Sequence, residues 1–409
     1  MSKKLVNCFK GAHIMVNEQK RYILALNGGS SSLKFGLFED NTGRMEAEGQ
    51  VDRIGSAKGH FKVRGANGEK WEDHDGEYRD SQEALRELIR WLRNHKDPYP
   101  LAAIGHRLVQ GGPDHRTPEI VDERLISALE QLLHLAPNHL PASLAIIKIC
   151  RDFFPDIPQV ACFDTAFHRY MPARAMHFAI PRPLWKEGII RYGFHGLSYE
   201  YIMQQLERPT FAGKKEKIII AHLGNGCSMT AIHNGVSIDT TMGLTPTGGL
   251  VMGTRSGDLD PGLLFFLLRK EGMTVDNLEN VIDKGSGLEA LSGNGHDVRM
   301  LLEREASDSN AGEALDIFCY QARKFIGALA AALGGLDTLV FTGGIGENSP
   351  VIRRRITEGL QFLGIQLDEK NNKDQKEIIS TSISPVMVCA IKTHEEMMIA
   401  SHTRELIIK

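Results

Sequence analysis

No two cysteines in this chain are spaced as CxxC; the six present, at positions 8, 150, 162, 227, 319 and 389, are scattered through 409 residues. That scatter argues against a zinc site and fits free thiols in a reducing compartment. Charge of one sign is missing too, since 48 Lys and Arg stand against 51 Asp and Glu for a net charge of -3. Such a balance speaks against a nucleic-acid partner or a polybasic membrane surface, and no acidic tail is present. Long apolar runs are absent. The most apolar helical stretch, Phe325 to Leu336, is too short and too broken by glycine to span a bilayer. The opening residues carry basic groups but no apolar segment of signal-peptide length. Residues 1–20 are therefore set aside as an N-terminal extension, and a cytoplasmic location is expected. What remains is the composition of a globular protein, 42% hydrophobic and 24% charged, in a chain long enough for two lobes.

Residues 217–262 are the stretch around which the rest is organised. An apolar run from Ile218 to Ala221 stops at His222-Leu223-Gly224-Asn225-Gly226, alternation resumes through Ile232, and Asn234-Gly235 marks a turn. That pattern predicts strand, tight loop and hairpin. A second glycine-rich segment runs from Gly248-Gly249 to Gly253-Thr254-Arg255-Ser256-Gly257-Asp258. Glycines let backbone N–H groups approach an anion, Asn225 and Thr254 add neutral hydrogen bonds, and Arg255 brings a permanent charge in fork geometry. Together they suggest a phosphate site, although glycines alone serve hairpin turns equally well.

The segment from Tyr22 to Phe38 repeats this arrangement. Leu26, Gly29 and Ser31 match Leu223, Gly226 and Ser228 at a constant offset of 197, which predicts two copies of one lobe facing a shared cleft. Further strands are expected near 46–51 and 60–65, and helices near 81–95, 122–134, 141–153 and 198–207. Several candidate functional side chains lie at strand ends. Leu101 to Gly105 runs into His106-Arg107 beside Gly111-Gly112, and Gln159 to Phe163 ends at Asp164. Strand carboxyl ends are where open α/β sheets collect ligands, and an arginine there is placed to bind carboxylate or phosphate. His195 sits in a loop between Gly193 and Gly196, and Pro137 and Pro141 keep His139 off a helix interior. Beyond 260 the chain reads as mainly helical, near 261–271, 275–283, 296–305 and 312–333. A strand at 337–341 then enters Thr342-Gly343-Gly344-Ile345-Gly346-Glu347-Asn348, followed by a helix expected to run to about Phe362. A helix start after such a turn offers free N–H groups and a positive dipole to phosphates, though no GxxxxGK[ST] occurs there. The last strand, 386–391, ends near Glu395-Glu396, whose acids by position alone serve equally well as helix-dipole partners.

Eight motifs in order resemble the acetokinase family from about residue 22 onward: LALNGGSSSLKF, HRLVQGG, FDTAFH, RYGFHGLSYEY, HLGNGCSM, MGLTPTGGLVMGTRSGDLDPG, FTGGIGENS and THEEMMIA. The resemblance implies an α/β fold of the duplicated two-lobe actin/Hsp70/sugar-kinase-like kind, with ribonuclease H-like lobes and ATP in the interlobe cleft. It also implies a first lobe over 21–165, completed by a C-terminal helix at 397–409, and a nucleotide-binding lobe over 166–396. Family roles carried onto matching positions make Asp164, His195 and Arg255 catalytic. Arg107 becomes the carboxylate-binding arginine, with His139 beside it. Lys34, His222-Leu223-Gly224-Asn225-Gly226, Asp297-Val298-Arg299 and Gly344-Ile345-Gly346-Glu347-Asn348 fall on ATP-binding segments, and Asn27 and Glu395 on a Mg²⁺ site that Mn²⁺ could also fill. The activity so implied is reversible phosphorylation of acetate by ATP, giving acetyl phosphate and ADP, by a homodimer. A carboxylate is already ionised at neutral pH, so catalysis requires cancelled repulsion between two anions rather than a general base.

One departure bears on substrate size. Where the family carries leucine in a small apolar pocket, together with residues matching Val109, Phe194 and Pro246, this chain has Asn138. An unpaired amide beside a methyl would cost about 1–3 kcal/mol, unless the loop shifts and Leu140 takes its place. Propionate or butyrate is therefore an alternative acceptor. An actin- or chaperone-like ATPase switch is the alternative of a different class, and it would have no use for a carboxylate-binding Arg107.

Overall fold

The computed structural model describes residues 20–29, 31–95, 99–213, 215–270 and 272–407. The extension expected over 1–20 therefore lies, apart from Lys20, outside the described residues, as do the last two residues of the expected C-terminal helix. Thirteen strands form two sheets among the described residues. The first contains β1 (Tyr22–Gly28), β2 (Ser32–Glu39), β3 (Met45–Asp52), β4 (Gly59–Gly65), β5 (Lys70–Gly76), β6 (Leu101–Leu108), β7 (Glu119–Ile120) and β8 (Gln159–Phe163), in the order β5-β4-β3-β2-β1-β6-β8-β7. The second contains β9 (Lys217–Leu223), β10 (Cys227–His233), β11 (Val236–Thr240), β12 (Thr338–Thr342) and β13 (Met387–Ala390), in the order β11-β10-β9-β12-β13.

The two sheets share one topology. β1 pairs antiparallel with β2 and parallel with β6, as β9 pairs antiparallel with β10 and parallel with β12. The match continues outward, β3 corresponding to β11 on one side and β8 to β13 on the other. The offset of 197 thus falls on equivalent hairpins. The first sheet adds β4, β5 and β7, and β5 and β7 are not evident in the sequence. β7 has only two residues, and β5, KWEDHDG, is an edge strand so charged that it carries no apolar alternation. Charge on an edge also blunts pairing with another chain.

Apolar faces fix how the layers stack. Leu24, Leu26, Phe35 and Phe61 of the first sheet are buried with Leu85, Leu88 and Ile89 from the helix Ser81–Asn94 and Ile146 from the helix Leu140–Phe153. Its other face takes the helix Glu395–Ile407, where Met398, Ile399 and Ala400 meet Ile23, Ala25, Ala103 and Val160. Gly105 allows that approach, since a Cβ there would lie 2.2 Å from Thr403 Oγ1. In the second sheet, Ile219, Ala221 and Phe341 are buried with Phe318, Ala322 and Ile326 of the helix Ser309–Leu333.

Helix boundaries depart from expectation where capping decides. The helix expected to reach Phe362 is two, Gly343–Asn348 and Pro350–Thr357, because Ser349 caps the second and Pro350 occupies its first turn. The helix expected to reach residue 134 ends at Gln131, before a 3-10 turn at Leu133–Leu135. The short helix Gly287–Ser292 was not evident from periodicity, having too few residues to establish one.

Candidate active site

The carboxyl ends of the central strands of both sheets open on one cavity of about 410 Å³. β1 delivers Asn27 to it, β6 places Arg107 one residue before its end, and Asp164 follows β8 directly. Lys34, Val109 and His139 also belong to the first lobe's share, with the β1–β2 turn at Gly28, Gly29, Ser31 and Ser32. From the other side come Phe194, His195, His222, Gly224, Asn225, Gly226, Pro246, Arg255, Gly344 and Glu347, and Glu395 reaches in from the start of the last helix. Arg107, His195 and Arg255, far apart in sequence, therefore face a common space.

Other expected site residues lie off this cavity. Leu223 and Gly346 are buried in their elements, and Ile345 and Asn348 sit on the helix behind Gly344, whose carbonyl accepts from Asn348 Nδ2 at 2.9 Å. Asp297, Val298 and Arg299 form a helix start away from the cavity. There Asp297 caps the backbone, accepting from Arg299 N at 2.9 Å, and pairs with the Arg299 side chain at 2.6 Å. The Asn138 side chain turns outward, donating from Nδ2 to Asp283 Oδ2 at 3.1 Å. Leu140 does not replace it, being packed with Leu108, Leu144 and Phe163. The apolar surface left in the cavity belongs to Val109, Phe194 and Pro246.

Arg107 is the electrostatic centre of the first lobe's wall. Its Nε donates to both oxygens of Asp164 at 3.0 and 3.1 Å, Nη2 donates to Oδ2 at 2.6 Å, and Nη1 donates to Asn27 Oδ1 at 2.9 Å. A guanidinium has five N–H groups. The Nε–H and one on each terminal nitrogen are thereby engaged, so two remain for a ligand. Burial works against the Arg107 charge, but Asp164 and Glu395 outweigh it and tighten its hold on the proton. Asp164, itself 1% exposed, is pushed upward by burial against the pull of Arg107. Because a guanidinium does not give up its proton, we read the pair as ionic.

Asn27 links this pair to a buried acidic couple. Its Nδ2 donates to Glu395 Oε2 at 2.7 Å and to Glu396 Oε1 at 2.8 Å. Burial disfavours both charges, yet Arg107 holds Glu395 below its ordinary range, and His394 and Lys34 bring Glu396 down to about 2. Two ionised carboxylates at a cavity wall are the hard oxygen donors that Mg²⁺ takes when phosphates and water complete its shell. Asn27 orients the acids through its amide nitrogen, and its oxygen, which accepts one hydrogen bond from Arg107, keeps a second lone pair for the ion.

The histidines are held by hydroxyl relays that sequence reading missed. Tyr199 OH contacts Ser228 Oγ, which meets His195 Nδ1 at 2.8 Å. In parallel, Thr393 Oγ1 donates to Ser198 Oγ at 2.9 Å, and Ser198 meets His222 Nδ1 at 2.8 Å. If each hydroxyl passes its proton toward the ring, both Nδ1 atoms accept and both Nε2 atoms carry hydrogen. The rings stack with centroids 4.2 Å apart. Burial, reinforced by neighbouring cations, holds His195 well below its ordinary value, and burial brings His222 to about 4. At neutral pH both are uncharged N–H donors, so the positive charge that cancels anion repulsion comes from the arginines. The available signal was the i, i+3, i+4 spacing of His195, Ser198 and Tyr199. His195 adopts φ 59°, and Gly196 is required because a Cβ there would lie 2.1 Å from the Asp164 carbonyl oxygen. A left-handed non-glycine residue of this kind stores about 1–3 kcal/mol and fixes the ring's direction.

Arg255 contrasts with Arg107. Its Nη1 donates to Pro246 O at 3.1 Å, and among the described residues it forms no ion pair. Burial lowers its basicity, the Asp283 carboxylate partly offsets that loss, and the guanidinium faces the cavity. Gly226 runs beside it, for a Cβ there would lie 3.3 Å from His195 Nε2 and 3.5 Å from Arg255 Nη1. An anion between the two lobes would thus meet an arginine ion-paired to Asp164 on one side and, on the other, one that forms no ion pair among the described residues.

Residues 22–401 match the acetokinase family. The chain is 43% identical over 94% of its length to an acetate kinase of Coprothermobacter proteolyticus, covering 98% of that protein, and 44% identical over 94% to one of Nitrobacter hamburgensis, covering 96%. Among solved structures it resembles Porphyromonas gingivalis acetate kinase with a TM-score of 0.83 at 37% identity, covering 95% of this chain and 100% of that one. A propionate kinase from Francisella tularensis subsp. tularensis superposes with a TM-score of 0.85 at 37% identity, covering 94% and 99%.

Proposed function

The chain belongs to the acetokinase family, and from that premise we propose how its cavity works: ATP gives its terminal phosphoryl group to the carboxylate of acetate, or of another short-chain acid, by direct in-line transfer. The products are an acyl phosphate and ADP, and the reaction is reversible. The observation that carries this reading is the pair of guanidiniums in one cavity that three apolar side chains, Val109, Phe194 and Pro246, also line. A small acid would set its carboxylate on the two remaining N–H groups of Arg107 and its alkyl end on those three residues. Asp164, already committed to Arg107, orients that guanidinium and is not needed as a base.

Arg255 and the Nε2–H groups of His195 and His222 would receive the charge that develops on the transferring phosphoryl group. The backbone at Gly224–Gly226 and the helix start at Gly343–Gly344 would hold the donor phosphates, with Lys34 at the cavity's edge. Mg²⁺, or Mn²⁺ in its place, would be held by Asn27 and Glu395, with Glu396 beside them, and would neutralise the donor phosphates. We also propose that the protein is cytoplasmic and works as a homodimer. No described helix is long and apolar enough to cross a membrane. Leu263, Phe265 and Phe266, exposed on the helix Pro261–Lys270, supply apolar surface for a second copy, and sedimentation tests it.

The activity test is hydroxamate trapping of acyl phosphate formed from ATP with acetate, propionate and butyrate. Rates that depend on the acid support the proposal. ATP hydrolysis indifferent to every acid would leave the nucleotide-switch reading in its place.

A further inference from the structure

A second cavity, of about 360 Å³, adjoins the first and is walled by Leu135, Pro137, Val275, Leu278 and Ile282. His139, Pro246 and Arg255 border both cavities, so these three side chains form the partition. Each is adjacent in sequence to a residue that Asp283 grips. Asp283 Oδ2 accepts from Asn138 Nδ2 at 3.1 Å, beside His139. Its Oδ1 accepts from Thr247 Oγ1, beside Pro246. Its carbonyl oxygen accepts from Thr254 Oγ1 at 3.0 Å, beside Arg255. Asp283 lies on the helix Val275–Lys284 in the second lobe, whereas Asn138 precedes the helix Leu140–Phe153 in the first, so the node spans the cleft.

We infer that Asp283 is a positioning residue which holds the partition between the reaction cavity and the apolar side cavity, and thereby sets the upper limit on acyl chain length. The inference deepens the proposed carboxylate kinase and rests on it. With the node intact, Pro246 and His139 close the acyl end of the site, and a longer alkyl chain meets a wall. Without the Asp283 carboxylate the tethers beside His139 and Pro246 are lost, while Thr254 keeps its bond to the backbone carbonyl and Arg255 stays placed; the tail of a C4–C6 acid then gains the apolar surface of Leu135, Val275, Leu278 and Ile282. The carboxylate remains on Arg107. Asn138 therefore takes part in selectivity from outside the acyl pocket, through a bond to a carboxylate of the other lobe.

The test compares kcat/KM for acetate, butyrate and hexanoate in the unaltered protein and in Asn138→Ala, Asp283→Ala and Asp283→Asn. Asn138 is exposed, so its variant stays informative should Asp283→Ala fail to fold. The hexanoate-to-acetate ratio should rise by roughly tenfold or more in both alanine variants, the scale of discrimination that one methylene gives in an apolar pocket. In Asp283→Asn, which retains an acceptor for one partner and offers a donor to the Thr247 hydroxyl, the ratio should stay near its original value. A loss of activity toward all acids in equal proportion, with the ratios fixed, overturns the inference and leaves the kinase reading intact. An unaltered protein that forms no acyl phosphate from any acid overturns the kinase reading itself.

Discussion

Replacing Arg255 by alanine separates catalysis from stability in a way the structure makes quantitative. The guanidinium is half-buried, its polar protein contact within ordinary hydrogen-bond distance among the described residues is the Pro246 carbonyl at 3.1 Å, and no described carboxylate forms a direct ion pair with it, although Asp283 supports its charge from a distance. A partly desolvated charge without a direct ion-pair partner adds little to folding, so its removal should leave the melting temperature unchanged or raise it. Catalysis should respond in the opposite sense. Loss of one preorganised group aimed at developing charge costs about 2.7–4 kcal/mol, or roughly 10²–10³ in kcat. The effect on the KM for ATP should be much smaller, because the group acts mainly in the transition state. Steady-state kinetics by hydroxamate trapping, alongside thermal melting of the same preparation, reads both quantities. A rise confined to the KM for ATP, or a melting temperature lowered by several degrees with kcat intact, would refute the assignment.

Arg107→Ala should behave differently, since it strands Asp164 as a buried unpaired carboxylate. We expect a stability loss of about 3–5 kcal/mol together with a strongly raised KM for the acid; adding Asp164→Asn should recover most of the stability without restoring acid binding, and equal stability of the single and double variants in urea would contradict the pairing. Glu395→Ala should raise the Mg²⁺ needed for half-maximal rate by roughly 10–100-fold, and an unchanged Mg²⁺ titration would reduce Glu395 to a helix-start acid. Stability should also fall on mild acidification. Burial lowers His106, His168 and His222 to about 4 from an ordinary value of 6.5. The unfolded chain therefore takes up protons that the folded one refuses as pH drops from about 6.5 toward 4, and their contribution is complete only above that window. A urea midpoint that stays constant between pH 7 and pH 5 would count against this.

Sequence alone conveyed the duplicated hairpins, because a glycine turn between apolar strands is a local signal and its repetition at a fixed offset is arithmetic. It also located Arg107, Asp164, His195 and Arg255, because charged or titratable groups at strand ends and beside glycines are conspicuous. What it did not convey is which group faces which. That Asp164 engages two N–H groups of Arg107 while Arg255 forms no ion pair among the described residues depends on the register of β6 against β8 and on the meeting of two lobes. The hydroxyl relays beneath His195 and His222 were hidden for the same reason, since Ser228 and Thr393 come from distant strands and loops. Asn138 illustrates the limit most plainly. Its chemistry read as a liability inside an apolar pocket, yet its side chain has found Asp283 across the cleft, 145 positions along the chain.

The helix Glu395–Ile407 covers strands that come from the opening third of the sequence, and Thr403 presses against Gly105. During synthesis, β1, β6 and β8 must wait with one face bare while more than half of the protein is still to be made. That exposed sheet is the surface a chaperone would have to shield, and the cavity gains Glu395 and Glu396 only when this helix docks.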